Sequence, residues 1–360
     1  MKILFIVRSI GYGGASKQLA LTANAMAKRG HDVAIYSYNM NVLKQELDSK
    51  VKYIPQSELC RNKLEEYLFS PWRIRREIQR RKADIVVSWR ANAGCFTSLA
   101  CLGLNHVKHV FSERTDPYTE TSFFLKIATR LCRWADGGIF QTEMARDYYG
   151  QKMAKRSVVI PNPIPDNTVL PEIVPIEQRQ KKVAWVGRFF MKQKRMDVMV
   201  KAWAEVHKRL PDYKLVFYGD GSGMTQTQQM VREYGLEECV EFKGAVKGII
   251  DIIKDHALLV MTSDYEGIPN TILEAFIAGV PVVTTDCSPG GARVLIEDGK
   301  NGIVVPIGNH KQLSEKILFV LDSPIIIGDF IDKSRTKLEN FYPVQIFEQW
   351  NNYLCSIAFQ

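Results

Sequence analysis

Three absences narrow the chemistry open to this sequence. No apolar run approaches the roughly 20 residues that a bilayer-spanning helix requires. The apolar opening MKILFIV is too short for a signal peptide and lacks a small-residue cleavage site, so it reads as a first strand. Cysteine is sparse and unpatterned: seven residues, an odd count with no C-x-x-C, which fits reduced thiols better than disulfides or a zinc site. Histidine numbers six, and none falls in a motif-bearing loop. No internal repeat or low-complexity segment is visible either. A cytoplasmic protein is the expectation.

What is present is an ordinary globular composition with a basic balance. A chain of 360 residues suggests two domains, each able to bury its own core. The formal charge of +9 favours anionic partners, either phosphate-bearing substrates or acidic lipid headgroups. Nucleic acid is a weak reading of that charge, because no RNA-binding aromatic motif accompanies it. The stretch 60–82 carries eight basic residues against three acidic, interspersed with Tyr67, Leu68, Phe69, Trp72, Ile74 and Ile78. Such a helix could lie on an anionic membrane surface, or simply pack its apolar stripe on the domain and solvate the rest. Residues 123–134 have the same character.

The rest of the chain is organised around Ser263–Gly291, SDYEGIPNTILEAFIAGVPVVTTDCSPGG. The preceding run His256–Met261 is short and apolar enough for a buried strand. Pro269 suits a first helical turn, Ile272, Leu273, Phe276 and Ile277 repeat at helical spacing, and Gly279 ends the helix before a strand at 281–285. That is a βαβ unit, whose ligands gather at the carboxyl ends of the strands. First-turn amides at Asn270 and Thr271 have no intrahelical acceptor and suit an anion. Glu274, one turn on, could accept two hydroxyls of a ribose, and Glu266 in the loop could reach hydroxyls beyond a diphosphate. Taken as two isolated glutamates, an ordinary helix and loop would be the simpler account.

Other strand–turn–helix units surround it. Lys2–Arg8 leads through Gly11, Gly13 and Gly14 into a helix from about Ser16 to Arg29, with a second strand at Asp32–Tyr38. The spacing is not G-x-G-x-x-G and no acid closes the second strand, which disfavours a nicotinamide enzyme. Further strands are expected at 84–89, 107–112, 138–142 and 158–160. The polar stretch 166–182 reads as a linker. Lys182–Gly187 opens a second α/β domain, with Arg188 at its end, Lys192 and Lys194 beyond it, and a helix at 196–209. Strands at 214–218 and 240–244 carry Gly219 and Gly244. Asp220 and Asp264 are single acids with no paired histidine or second aspartate, so no metal site is expected.

Glu-Gly-x-Pro-Asn-x-x-x-Glu-Ala followed by Gly-x-Pro-Val-Val closely resembles the EX7E signature of retaining GT-B glycosyltransferases of the GT4 family. The GGA at Gly13–Ala15, the Arg188…Lys194 pair and the IPNP at 160–163 stand where that family has them. The resemblance implies two Rossmann-like domains facing across a cleft, at 1–165 (acceptor side) and 166–340 (nucleotide-sugar donor), with residues 341–360 forming a helix that packs back on the first. It implies donor contacts from Gly13, Gly14, Gly187, Arg188, Lys194, Gly219, Gly244, Glu266, Gly267, Ile268, Pro269, Asn270, Thr271 and Glu274, with Arg188, Lys194 and Glu266 closest to the chemistry. Arg195 stands where relatives carry glycine, which leaves Lys192 a rival to Lys194. Ser112-Glu113-Arg114 replaces the usual histidine region and resembles the SERxDP variant of bacterial surface-polysaccharide transferases. Glu113 and Arg114 are therefore acceptor-side candidates, or else a loop ion pair.

The reaction so implied moves a sugar from a nucleoside diphosphate, UDP first and GDP second, to a glycan or polyprenyl-linked hydroxyl with retention and without a metal or other cofactor. Two alternatives remain: a nucleotide-sugar 2-epimerase of the same fold, and a catalytically silent sugar-nucleotide-binding protein.

Overall fold

The computed structural model describes residues 1–360 apart from 12–13, 40–42, 57–61, 120–121, 167 and 360. It divides into two compact units, Met1–Asn162 with Pro343–Gln360, and Pro163–Tyr342. Cys60 and Gly13 lie outside the described residues.

The first unit is built on β1 (Lys2–Val7), β2 (Asp32–Ser37), β3 (Lys52–Pro55), β4 (Ile85–Trp89), β5 (Lys108–Ser112), β6 (Gly137–Phe140) and β7 (Ser157–Val159). They form one sheet in the order β3-β2-β1-β4-β5-β6-β7. All pairings are parallel. Parallel strands are covered on both faces, which is why β1 is a continuous apolar run rather than an alternating one. Ile3, Phe5 and Val7 join Leu19, Ala23 and Met26 of α1 (Gly14–Lys28) on one side. Leu4 and Ile6 join Ile74 and Ile78 of α2 (Lys63–Arg81) and Phe96 of α3 (Arg90–Ala100) on the other. A fourth helix, α4 (Phe123–Cys132), packs on α3. The close approach requires a glycine at 94, where a Cβ would stand 2.5 Å from Cys132 Sγ.

The helix Pro343–Ala358 belongs to this first unit. Its Ile346, Phe347, Trp350, Leu354 and Ile357 complete the cluster around Phe5 and Trp89, and Trp350 stacks on Trp89 with ring centroids 5.8 Å apart.

The second unit contains β8 (Gln180–Val186), β9 (Lys214–Tyr218), β10 (Val240–Phe242), β11 (His256–Met261), β12 (Val282–Thr285) and β13 (Ile303–Val305) in the order β10-β9-β8-β11-β12-β13. Trp185, Phe217, Leu258 and Val260 face Trp203 on one side of the sheet. Ala184, Val216, Leu259 and Met261 face Leu273 and Phe276 on the other. Each sheet reverses its strand order once, between β1 and β4 and between β8 and β11. Those switch points are where an open parallel sheet offers a crevice beyond its carboxyl edge.

One expectation needs correction. The stretch 166–182 does not end as a solvated linker, because Gln180–Val186 is β8 and Arg179 is buried. The Arg179 guanidinium donates to the carbonyls of His256 (2.9 Å) and Gly279 (2.8 Å). Burial pulls its pKa down to about 10 and nearby Asp255 opposes the fall. Charge in the sequence read as exposure, whereas two backbone acceptors hold this charge inside.

Trp350 is 1% exposed. Trp350→Ala should cost about 3–5 kcal/mol, the usual range for deleting a buried aromatic. Denaturant unfolding checks this, and a loss under about 1 kcal/mol would show that the last helix is not part of the first unit's core.

Candidate functional site

The candidate site of the second unit forms where β8 and β11 end. β8 runs into Gly187, whose N–H donates to Tyr218 O at 3.0 Å. Gly219, at φ 134°, has its missing Cβ directed at Gly187 O, 1.9 Å away, so this glycine is required by backbone packing. Gly219 N–H in turn donates to Gly244 O at 2.8 Å. Gly187, Gly219 and Gly244 thus tie together the ends of β8, β9 and β10. Arg188 follows Gly187 on the surface, exposed and without an ion-pair partner among the described residues.

A short helix, Met191–Lys194, then turns the chain. Lys194 is the lysine brought to the site: its Nζ lies 2.6 Å from Glu266 Oε1, with the two side chains 13% and 15% exposed. A Cβ at Gly187 would meet the Lys194 Cε at 3.3 Å, so the amine also lies against the end of β8. Lys192 is exposed and points to no such partner. The Lys194 backbone is pinned too, since its carbonyl accepts from Thr262 Oγ1 at 2.7 Å, and Thr262 accepts from Trp185 Nε1 at 3.0 Å.

Arg195 stands where the family resemblance leads one to expect glycine, and its backbone shows why glycine would suit the position. Its φ is 49°, a left-handed conformation that glycine adopts without cost. In this chain the arginine is held by a fork to Asp197 (2.9 and 3.1 Å) and by Nη1 on Asp264 Oδ2 at 2.8 Å. Hydrogen bonds to these two carboxylates raise its already high pKa. Asp264, read from sequence as a lone acid, is therefore a strut that joins the loop after β11 to the start of the helix Met196–Arg209. Its backbone N–H donates to Gln193 O at 2.8 Å.

Glu266 sits in that same loop. Ser263 Oγ donates to its Oε1 at 3.1 Å, and its own N–H donates to Ser288 O at 2.7 Å. Gly267 passes so close to Gly291 that a Cβ there would lie 1.6 Å from Gly267 O. Ile268 and Pro269 are buried, and Pro269 leads into the helix Asn270–Ala278 with no side-chain cap. Asn270, Thr271 and Glu274 are half-buried on this helix, with Asn270 and Glu274 one turn apart on one face. Gly279, at φ 69°, closes the helix by donating to Ala275 and Phe276 carbonyls.

The geometry brings Gly187, Lys194 and Glu266 together and sets the uncapped helix start behind them. Such a cluster offers a cation and first-turn backbone amides to an anion, and a carboxylate to hydroxyls.

Glu113 and Arg114 are placed differently. Both belong to the first unit and are buried, 1% and 6% exposed. Glu113 Oε1 accepts from the N–H groups of Arg114 and Thr115 and from Thr115 Oγ1, and Oε2 accepts from Tyr149 OH at 2.6 Å. The Arg114 guanidinium lies against both Trp89 (4.7 Å) and Trp350 (5.0 Å), with Nε donating to Ser112 Oγ. Burial lowers its pKa to about 9 against the opposing charge of Glu113. Sequence spacing placed them correctly at the end of β5 but carried no sign of their internal partners. Among the described residues no group of three His, Cys, Asp or Glu side chains is arranged to hold a metal ion.

Residues 12–168 match the family described as Glycosyltransferase Family 4, and residues 180–323 match Glycosyl transferases group 1. The chain is similar over 98% of its length, at 23–25% identity, to curated bacterial transferases such as the uncharacterized glycosyltransferase of Haemophilus influenzae (25%, 99% of that protein covered). It is 22% identical over 99% of both chains to the GalNAc-alpha-(1->4)-GalNAc-alpha-(1->3)-diNAcBac-PP-undecaprenol alpha-1,4-N-acetyl-D-galactosaminyltransferase of Campylobacter jejuni. The solved lipopolysaccharide outer core galactosyltransferase WaaB, in apo form, superposes with a TM-score of 0.81 at 21% identity over 99% of both chains. Anabaena HepE in complex with UDP superposes with a TM-score of 0.80 at 19% identity, over 99% of this chain and 100% of that one. The fold is therefore GT-B, with two Rossmann-like parallel-sheet units. The chain belongs to the group 1, family 4 glycosyltransferases, which are retaining enzymes.

Removing one partner of the Lys194–Glu266 pair leaves a mostly buried charge unmatched. Lys194→Met should cost about 1–3 kcal/mol of stability, and adding Glu266→Gln should recover most of it. A thermodynamic cycle by urea unfolding checks this, and strictly additive losses would show the contact carries no energy.

Proposed function

We propose that this enzyme transfers a hexose from a UDP-sugar to a hydroxyl of a lipid-linked glycan during assembly of a bacterial surface polysaccharide. The observation that carries the donor half is the Lys194–Glu266 contact at the end of β8, beside Arg188 and in front of an uncapped helix. UDP is the donor nucleotide we favour because HepE was solved with it, and GDP is the second choice.

In this reading Arg188 and Lys194 hold the diphosphate, with the amides of Asn270 and Thr271. Glu274 accepts both hydroxyls of the ribose. Glu266 accepts hydroxyls of the donor sugar and favours the positive charge that develops on its ring. The bond from the anomeric carbon to the phosphate oxygen breaks, and the acceptor oxygen adds to the same face. The acceptor proton passes to the departing phosphate oxygen, so no separate base is needed. Charge grows on the diphosphate as it leaves, and preorganised cations aimed there supply the main stabilisation. With side chains in that role, activity should persist in excess EDTA. Glu113 and Arg114 act as positioning residues that set the end of β5 from within.

The acceptor half rests on α2. No described helix is long and apolar enough to cross a membrane. Yet Leu64, Leu68, Phe69 and Trp72 project from α2 as exposed apolar side chains, with Arg73 over the Phe69 ring and Arg76 over the Trp72 ring. Arg75 takes no part in this face, since it donates to the carbonyls of Ala100 and Leu102. An apolar stripe edged with arginine suits the headgroup layer of an anionic leaflet, where each cation adds about 1 kcal/mol. We place the enzyme on the cytoplasmic side of that leaflet.

Two outcomes follow. Arg188→Ala should lower kcat/KM for the UDP-sugar by about 100-fold or more, equal to about 3 kcal/mol. Turnover within about threefold of the parent would remove Arg188 from the site. The protein should co-sediment with anionic but not neutral vesicles at low salt, and the double change Leu68→Ser, Trp72→Ser should abolish it. Equal recovery on neutral vesicles, or no effect of the double change, would return α2 to a solvated helix.

A further inference from the structure

The switch point of the first sheet carries a second site. Where β1 and β4 end, a cavity of about 370 Å³ is bordered by Arg8, Tyr38, Trp89, Arg90 and Asn92, with the first turn of α1 beside them. An adjoining cavity of about 320 Å³ shares Arg8 and Asn92 and adds Glu66 and the stacked rings of Tyr67 and Phe124. None of these residues is used by the donor site.

Two of its polar groups have no hydrogen-bond partner among the described residues. Tyr38 is 0% exposed and its hydroxyl has no hydrogen-bond partner among the described residues. Asn92 Oδ1 is in the same condition. A buried hydroxyl without a partner is destabilising, so a ligand that satisfies it is the economical explanation. The α3 helix starts here without a side-chain cap, since Trp89 at its N-cap has no acceptor; the indole N–H donates to Ala15 O at 3.0 Å.

The charge balance points to the ligand's sign. Glu66 is fully engaged by Arg8 through two contacts of 2.8 and 2.9 Å, which cancels that pair. Arg90 is left over: it is exposed and has no carboxylate partner among the described residues. Its φ of 75° is a left-handed conformation that an arginine adopts only at a cost, and such outliers persist where function requires them. Arg8, Tyr38 and Arg90 border one cavity, and Glu66 borders the adjoining one with Arg8.

We propose that this cavity binds an oxyanion of the acceptor, a phosphate or carboxylate attached to a sugar, with Arg90 and the α3 amides holding the anion and Tyr38 and Asn92 taking neighbouring hydroxyls. The assignment rests on the glycosyltransferase reading and names the acceptor's chemical class. Two sources share that chemistry: the phosphate that joins a glycan to its lipid carrier, and an acidic sugar within the glycan.

The test titrates the full-length protein, saturated with UDP to fill the donor site, with glucose 1-phosphate, methyl glucuronide and methyl glucoside by calorimetry. At least one anionic probe should bind about tenfold or more tightly than the neutral glucoside. Preference for the phosphate assigns the site to the carrier linkage, and preference for the glucuronide assigns it to an acidic sugar. Arg90→Gln should weaken the anionic probe about tenfold while leaving UDP affinity unchanged. Tyr38→Phe should weaken it too, without lowering the melting temperature, because the deleted hydroxyl has no internal partner. Equal binding of the neutral glucoside, binding by neither anionic probe, or an Arg90→Gln protein that binds as the parent would each overturn the proposal. The UDP affinity from the same samples tests the donor reading separately.

Discussion

The contact between Lys194 and Glu266 joins two opposite charges at the carboxyl edge of the second sheet, with little water around either. Much of the local structure exists to hold them there. The lysine's carbonyl is fixed by Thr262, the glutamate is fixed by Ser263 and Ser288, and Arg195 with Asp264 braces the two loops against each other. Without a ligand the pair neutralises itself, which keeps both side chains ordered. In the proposed function a sugar diphosphate would give each partner a new one: phosphate for the lysine, hydroxyls for the glutamate. A site organised this way is stable when empty and preorganised when filled, which is the condition for electrostatic stabilisation of a leaving group.

The same topology serves both units. Each parallel sheet reverses its strand order once, and after each reversal a helix begins with first-turn amides that no side chain caps. In the second unit the amides open Asn270–Ala278 and the charges are Arg188 and Lys194. In the first they open α3, and the charge is Arg90. α2 contributes to both ends of the acceptor problem. Its inner face supplies Glu66 and Tyr67 to the cavity, while its outer face exposes Leu68, Phe69 and Trp72. A lipid-linked acceptor, with its anion close to the membrane, would meet both faces of one helix.

The parts legible in the sequence are those encoded by neighbours along the chain. The βαβ unit at 256–285 announced itself through an apolar run, a proline at the helix start and a glycine at its end. Other parts depend on residues far away. Arg179 reads as surface charge until β11 supplies its acceptors, and Arg114 reads as a loop cation until Trp89 and Trp350 enclose it. Asp264 has no visible partner until the chain returns Arg195 to it. Strand β3 is only four residues long, includes Pro55 and lies at the sheet edge, half-buried, so its pattern is too weak to see. Helix α3 was missed because its small residues, chosen for close packing on α4, blur the apolar stripe.

The proposed function divides the labour: Lys194 would bind the diphosphate and Glu266 the sugar. The most direct measurement compares the calorimetric affinities of UDP and of the matching UDP-sugar in Lys194→Met and Glu266→Gln proteins. Lys194→Met should weaken both ligands alike, by about tenfold or more, because both carry the diphosphate. Glu266→Gln should weaken the UDP-sugar and leave UDP nearly unchanged. If Glu266→Gln weakens UDP as much as the UDP-sugar, or Lys194→Met weakens neither, the assignment of the two charges is contradicted.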